Sequence, residues 1–149
     1  MHQRRKAREV ALQVLYELDV VGIDVQEGID LFWKNFDSPE ESKIFASLLI
    51  EGTWDNRKKI DVLISSCSEN WTMDRMSKVD KNILRMAVYE LLYCPDIPPK
   101  VTMNEAIDLG KIYGSENSGS FINGILDAIY LTLDLNKDDQ TENAVIDGA

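Results

Sequence analysis

The run VDKNILRMAVYELLYC (residues 79–94) is followed at once by PDIPPKV, and this pair constrains the fold more than any other stretch. Ile83, Leu84, Ala87, Val88, Leu91 and Leu92 recur at helical spacing, so the run predicts one amphipathic helix. The prolines end it, because proline lacks an N–H and restricts the residue before it. Thr102 and Glu105 have the T-x-x-E spacing of a capping box. This predicts a second helix that begins there and runs to about Tyr113, where Gly114 stops it. The segment SENSG then leads into a third helix, FINGILDAIY. Three helices with one proline elbow and one Gly/Ser/Asn elbow predict a small orthogonal cluster.

Upstream, Ala7, Val10, Ala11, Val14, Leu15 and Leu18 keep i, i+3, i+4 spacing from about Arg5 until Gly22. A short helix is expected over Gln26 to Asn35, with Leu31, Phe32 and Phe36 turned inward. Ser38-Pro39-Glu40-Glu41 predicts a helix start, with Ser38 as cap and Pro39 in the first helical position. The helix that follows carries Phe45, Leu48, Leu49, Gly52, Ile60, Leu63, Ile64 and Cys67 on one stripe. It runs to about Asn70 or bends near Gly52–Asn56. Thr72 suits a cap for the short turn DRM, and Trp33, Trp54 and Trp71 sit beside apolar positions as packing residues. With no β-alternation of useful length, the expectation is an all-α chain of about seven helices. Periodicity stops after Tyr130, and residues 134–149 are polar, acidic and poor in aromatics, which reads as a disordered tail or a weakly held last turn.

A chain of 149 residues is expected to form one domain that buries roughly 70% of its unfolded surface, enough for a core without metal or disulfide. Cys67 and Cys94 have no C-x-x-C spacing. No apolar run approaches the ~20 residues of a membrane span, and the basic N-terminus lacks a following apolar signal core. These features point to the cytoplasm. The single histidine, His2, lies at the start of the chain, and neither a phosphate loop nor a G-x-G-x-x-G string is present. The reading is a non-enzymatic protein with no cofactor.

The net charge of −10 runs against a nucleic-acid binder, but its distribution matters more. Arg4, Arg5, Lys6 and Arg8 stand together without an acid, whereas residues 9–33 hold six acids and no Lys or Arg. The tail from Asp134 adds five acids against Lys137. Charges further apart than ~8 Å are largely screened at physiological salt, so a phosphate at the arm would feel the arm first. Basic side chains on a first helical turn oppose the macrodipole, a small cost with no local benefit evident in the sequence. The arm is therefore a candidate RNA contact that orders on binding, or else a frayed, solubilising start. Lys81 and Arg85, at i and i+4, could join it. Arg57-Lys58-Lys59 reads as a solvated turn. A second candidate is the helix start at Asn117 to Phe121, where unpaired N–H groups suit a phosphate. Asn117 or Ser118 would cap it, Gly119 would let another backbone approach, and the Phe121 ring could stack on an unpaired base. Gly124 is expected to permit close helix packing.

The strings NILRMAVYELL, IPPKVTMNEAIDLGK and FINGILD, in this order, closely resemble the NusB family of bacterial transcription antitermination factors, over about Arg4 to Tyr130. The resemblance implies two perpendicular helical halves of one unit, about residues 5–70 and 71–133. It also implies binding to the boxA element of nascent single-stranded RNA, notably in ribosomal RNA leaders. The implied partner is NusE, a small-subunit ribosomal protein, within a complex of other Nus factors and RNA polymerase. The RNA-binding set is then Arg4, Arg5, Lys6, Arg8, Arg85, Asn117, Ser118 and Phe121, with Asp80 and Glu90 as candidates for the NusE face. About four phosphate contacts predict a log K versus log salt slope near −3, from ~0.7 per contact. Ser120 departs from the pattern, since many relatives carry a basic residue before the Phe, and the acidic C-terminal extension is longer than the fold requires. A similar domain occurs fused to ribosomal RNA methyltransferases, for which this length is expected to leave no room. The competing reading is a protein-only interaction module, and a homodimer is open.

Overall fold

A computed structural model describes residues 2–35, 39–69 and 72–147, with side chains over 4–34, 39–69 and 72–134. Among these residues the chain forms seven α-helices and one 3-10 turn, with no strand. They are α1 (His2–Val21), α2 (Val25–Asn35), α3 (Glu40–Asp55), α4 (Arg57–Ser66), the 3-10 turn Met73–Arg75, α5 (Lys78–Tyr93), α6 (Pro99–Tyr113) and α7 (Ser118–Asp147). No helix among the described residues is long and apolar enough to cross a membrane.

Helix α5 is the axis of the molecule. It packs against α1, α3, α4, α6 and α7. Every residue from Asp80 to Glu90 is buried, so this helix has no solvent face along its middle. Ile83, Leu84, Met86, Ala87 and Val88 fill a core that also takes Leu15, Leu49, Ile64, Leu109 and Leu126 from surrounding helices. A helix enclosed on all sides must also accommodate its polar residues, and each buried charge then needs a partner. Asn82 donates to Asp19 (3.2 Å) of α1 and to the Lys78 carbonyl (2.8 Å). Arg85 is held by Asp61 of α4, and Glu90 by Arg8 of α1 and Thr102 of α6. These bonds tie the earlier helices to the later ones through α5.

Several local expectations change. α6 begins at Pro99, a turn before the expected capping box. Pro98 is extended (φ −58°, ψ 135°), and Pro99 starts the helix with no N–H to leave unpaired. Thr102 consequently lies inside the helix, 2% exposed, where its hydroxyl donates to Glu90 Oε1. Glu105 reaches α1 instead of the backbone. Pro39 flanks α3 in the extended region (φ −56°, ψ 147°) and Glu40 is the first helical residue; Ser38 lies outside the described residues. The stripe bends at Asn56, whose side chain donates to the Gly52 carbonyl (2.7 Å). Leu48 is 47% exposed and Leu31 46%, because Ala46, Leu49 and Ile50 form the inner face of α3 and Gly28, Ile29 that of α2. Thr72 makes no side-chain cap bond. Phe36 and Trp71 lie outside the described residues. The acidic segment from 135 belongs to the helical backbone of α7, but its side chains, on which the tail expectation rests, are outside them too.

Gly52 lets α3 lie close against α5, since a Cβ there would overlap the Tyr89 ring. A Cβ added at Gly124 would meet nothing within 4 Å, so the missing side chain serves no close helix packing there, contrary to the expectation.

Candidate nucleic-acid interface

The arm is already helical, and acids from α5, α6 and the loop between them hold it. Arg5 Nε donates to Glu105 Oε2 (2.9 Å), and its Nη2 to Glu105 Oε1 (3.3 Å) and Asp108 Oδ2 (2.6 Å). These bonds hold the Arg5 guanidinium even further above its ordinary pKa. Arg4 lies 3.8 Å from Asp96 and 5.1 Å from the Phe45 ring centroid. Lys6 is exposed. Basic residues at the start of α1 therefore have a local benefit, supplied by carboxylates some ninety to a hundred positions later in sequence. Because α1 is helical from His2, neither of the two readings of the arm, a frayed start or a segment that orders only on binding, describes it.

Arg8 differs from its neighbours. It is 3% exposed and forms a two-pronged pair with Glu90, at 2.9 and 2.7 Å. Phe45 covers the guanidinium at 5.4 Å. Arg8 is thus a core tie and offers nothing to a phosphate. Glu90, 2% exposed, is correspondingly lost as a partner-facing residue. Arg85 is also inside, 7% exposed, with Nε and Nη2 on the two Asp61 oxygens at 2.8 and 2.7 Å. Asp19 lies 3.6 Å from its Nη1. Lys81 shares that Asp19 at 3.8 Å, and its pKa is lowered by burial and by neighbouring Lys78. Asp80 is 8% exposed, with Oδ1 unpaired. Spacing did not distinguish these paired interior charges from surface ones.

At the other candidate, α6 ends on Gly114, and α7 starts after a tight serine bridge. The Ser115 N–H donates to Ser118 Oγ (2.9 Å), and the Ser115 hydroxyl lies 3.3 Å from the same atom. Ser118 is 1% exposed, so its hydroxyl fastens the elbow and does not face a ligand. Asn117 is exposed, and its carbonyl accepts from the Phe121 N–H (3.1 Å). Phe121 is half-buried at the edge of the core, with part of its surface open. The neighbour at Gly119 is a side chain and not another backbone, contrary to the expectation: a Cβ there would lie 3.1 Å from Lys111 Cγ of α6. A Cβ on Gly110 would overlap Ile122 Cδ1.

Arm and elbow lie on two flanks of one helix. Glu105, Asp108 and Tyr113 of α6 reach α1, the last through its hydroxyl donating to Glu9 (2.7 Å). Ile107, Gly110 and Lys111 meet α7. Between these flanks, Lys100, Asn104, Asp108 and Lys111 follow one another at i+4, i+4 and i+3 as a polar stripe opposite buried Ala106. Asn104 and Lys111 are exposed members of this stripe that the apolar pattern did not single out. The available signal was the complement of the apolar pattern, since Met103, Ala106, Leu109 and Gly110 are buried.

The sequence profile of the NusB family matches residues 5–131. This chain belongs to the NusB family. A NusB transcription antitermination protein of Syntrophus aciditrophicus (strain SB) is 64% identical over 140 residues, covering 94% of this chain and 87% of the relative. That of Pelotomaculum thermopropionicum is 49% identical over 126 residues, covering 85% and 88%. Among solved structures, T. maritima NusB is similar at a TM-score of 0.77, with 40% identity over 85% of this chain and 89% of that one. A NusB crystallised with NusE and double-stranded RNA gives a TM-score of 0.80 at 30% identity, over 89% of this chain and 98% of its own. The all-α NusB fold expected from the three strings is the fold observed.

Proposed function

We propose that this NusB-family chain is a cytoplasmic antitermination factor that binds boxA RNA, notably in ribosomal RNA leaders, together with NusE. With other Nus factors it would act on RNA polymerase. The observation that carries this reading is that Arg5 is bonded to one side of α6, at Glu105 and Asp108, while Gly119, two residues before Phe121 on α7, packs against Lys111 of the same helix. The stripe Lys100, Asn104, Lys111 lies between them. A strand crossing α6 would meet cations first, amide and ammonium donors next, and an aromatic ring with an adjacent helix start last. Withdrawal of Arg8 and Arg85 leaves three arm cations, plus Lys111, for phosphates. With Arg5 already paired with Glu105 and Asp108, about three contacts remain open and the expected salt slope falls to near −2, from ~0.7 per contact.

The partner face is proposed where acids are open. Glu17, Asp24, Glu27 and Asp30 are exposed on α1, α2 and the turn between them, beside exposed Tyr16 and Val20. Such a surface complements a basic ribosomal protein.

A mobility shift with boxA and scrambled RNA, with and without NusE, at two salt concentrations tests the proposal. Preference for boxA that strengthens with NusE and weakens with salt is expected. The relative crystallised with NusE carries double-stranded RNA, so a duplex of the same sequence belongs in the experiment. Preference for the single strand fits stacking at Phe121. The second reading, a protein-only module, draws on the acids that already occupy Arg5 and Arg8. Recovery of NusE with equal retention of boxA and scrambled RNA would favour it.

A further inference from the structure

The arm cations differ in how firmly the chain itself holds them. Arg8 is sealed, and Lys6 is exposed. Arg5 is intermediate: its side chain is 39% accessible, yet its fork is filled by two carboxylates from successive turns of α6. A carboxylate presents to a guanidinium the same kind of acceptor oxygens as a phosphate does. The two acids are not equivalent. Glu105 is 19% accessible and lies 4.0 Å from Arg8, so a second cation steadies it. Asp108 is 44% accessible and, among the described residues, has Arg5 as its one hydrogen-bonded partner. It also sits in the exposed stripe of α6, where the proposed RNA crosses.

We propose that Asp108 is a built-in competitor for RNA: it occupies Arg5 Nη2 until a phosphate displaces it, while Glu105 keeps the guanidinium aimed. This rests on the RNA reading above and concerns the regulation of that same site. The exchange swaps one oxyanion for another at Arg5, so this arginine contributes little net affinity to a phosphate that arrives alone. RNA also engaged at Lys111 and Phe121 holds its phosphate there long enough to win. The contact thus suppresses retention of arbitrary polyanions on an arm that is otherwise open.

The test is a double-mutant cycle with Asp108→Asn and Arg5→Ala, read as the affinity for a single-stranded boxA oligomer at low and physiological salt. Exposed ion pairs are typically worth ~0.2–1 kcal/mol, so Asp108→Asn should tighten binding by up to about fivefold. In the Arg5→Ala background the same change should have little effect. The scrambled oligomer should gain more than boxA, lowering the preference between them. Equal tightening in both backgrounds would mean that only a negative charge had been removed, and would overturn the proposal. Weaker binding by Asp108→Asn would also overturn it, by showing that Asp108 positions Arg5 for RNA. If the unaltered protein binds boxA no better than scrambled RNA, the functional reading itself fails. Intact boxA preference with a null cycle sinks the competitor alone.

Discussion

Replacing Arg8 by Met separates an interior role from a ligand-binding one. Arg8 and Glu90 are 3% and 2% exposed and share two bonds of 2.9 and 2.7 Å. Methionine keeps the stem and removes the charge, leaving the Glu90 carboxyl group buried with Thr102 alone as its side-chain partner, at 3.2 Å. Arg5 cannot take over, because its donors are committed to Glu105 and Asp108. Breaking a buried pair from one side costs about 3–5 kcal/mol. Loss of the guanidinium over Phe45 adds ~0.5–1 kcal/mol. Against a typical total stability of ~5–15 kcal/mol, that is a large fraction. Urea unfolding at neutral pH should therefore show a much lower midpoint with an unchanged slope. The double replacement Arg8→Met with Glu90→Gln should recover much of the loss, because no unpaired charge then remains inside. At low temperature, where the single variant is still folded, its RNA affinity should match that of the unaltered protein within about twofold, a difference of ~0.4 kcal/mol. A stability loss under about 1 kcal/mol with a tenfold loss of RNA affinity, ~1.4 kcal/mol, would refute the reasoning and return Arg8 to the binding set.

Gly52→Ala should destabilise by about 1–3 kcal/mol in chemical denaturation, because its Cβ would overlap the Tyr89 ring. Gly124→Ala should raise stability by about 0.4–1 kcal/mol, seen as a higher melting temperature, since its helical site is open. Phe121→Ala should weaken boxA binding by ~1–3 kcal/mol if the ring stacks on a base. Equal affinity with a large drop in melting temperature would make it a packing residue. The Tyr113 phenol, raised above 10.0 by its bond to Glu9 and by burial, should ionise late in an ultraviolet titration. Because its folded pKa is the higher one, this contribution to stability is full below the unfolded pKa and disappears as pH rises through the folded value. Glu9→Gln should bring the titration earlier.

Helix positions were largely legible, because periodic apolar residues, prolines and glycines act locally. The bend at Asn56 and the stop at Gly114 follow that logic. The start of α6 was misplaced because T-x-x-E at Thr102 competed with two prolines, and a fixed proline φ at the first helical position won. The site was only partly legible. Arg8 and Glu90 lie 82 residues apart and Arg85 and Asp61 24 apart, and nothing in local spacing reveals a pairing over such separations. A fuller reading of α5 could have flagged them. Met86 and Tyr89 add apolar residues outside the arc of Ile83, Leu84, Ala87 and Val88, so the helix is enclosed all round. Charges on an enclosed helix are structural until shown otherwise.

The polar ties of α5 also bear on how the chain can be divided. A fragment ending at Ser66 would keep Arg8, Asp19 and Asp61 but lose Glu90, Asn82 and Arg85, to which they bind. A fragment beginning at Lys78 would carry the complementary orphans into an apolar centre with no walls. Neither piece is then expected to hold its shape alone, and the two should melt and refold as a single cooperative event. Mixing them in solution should restore helicity that neither shows by itself.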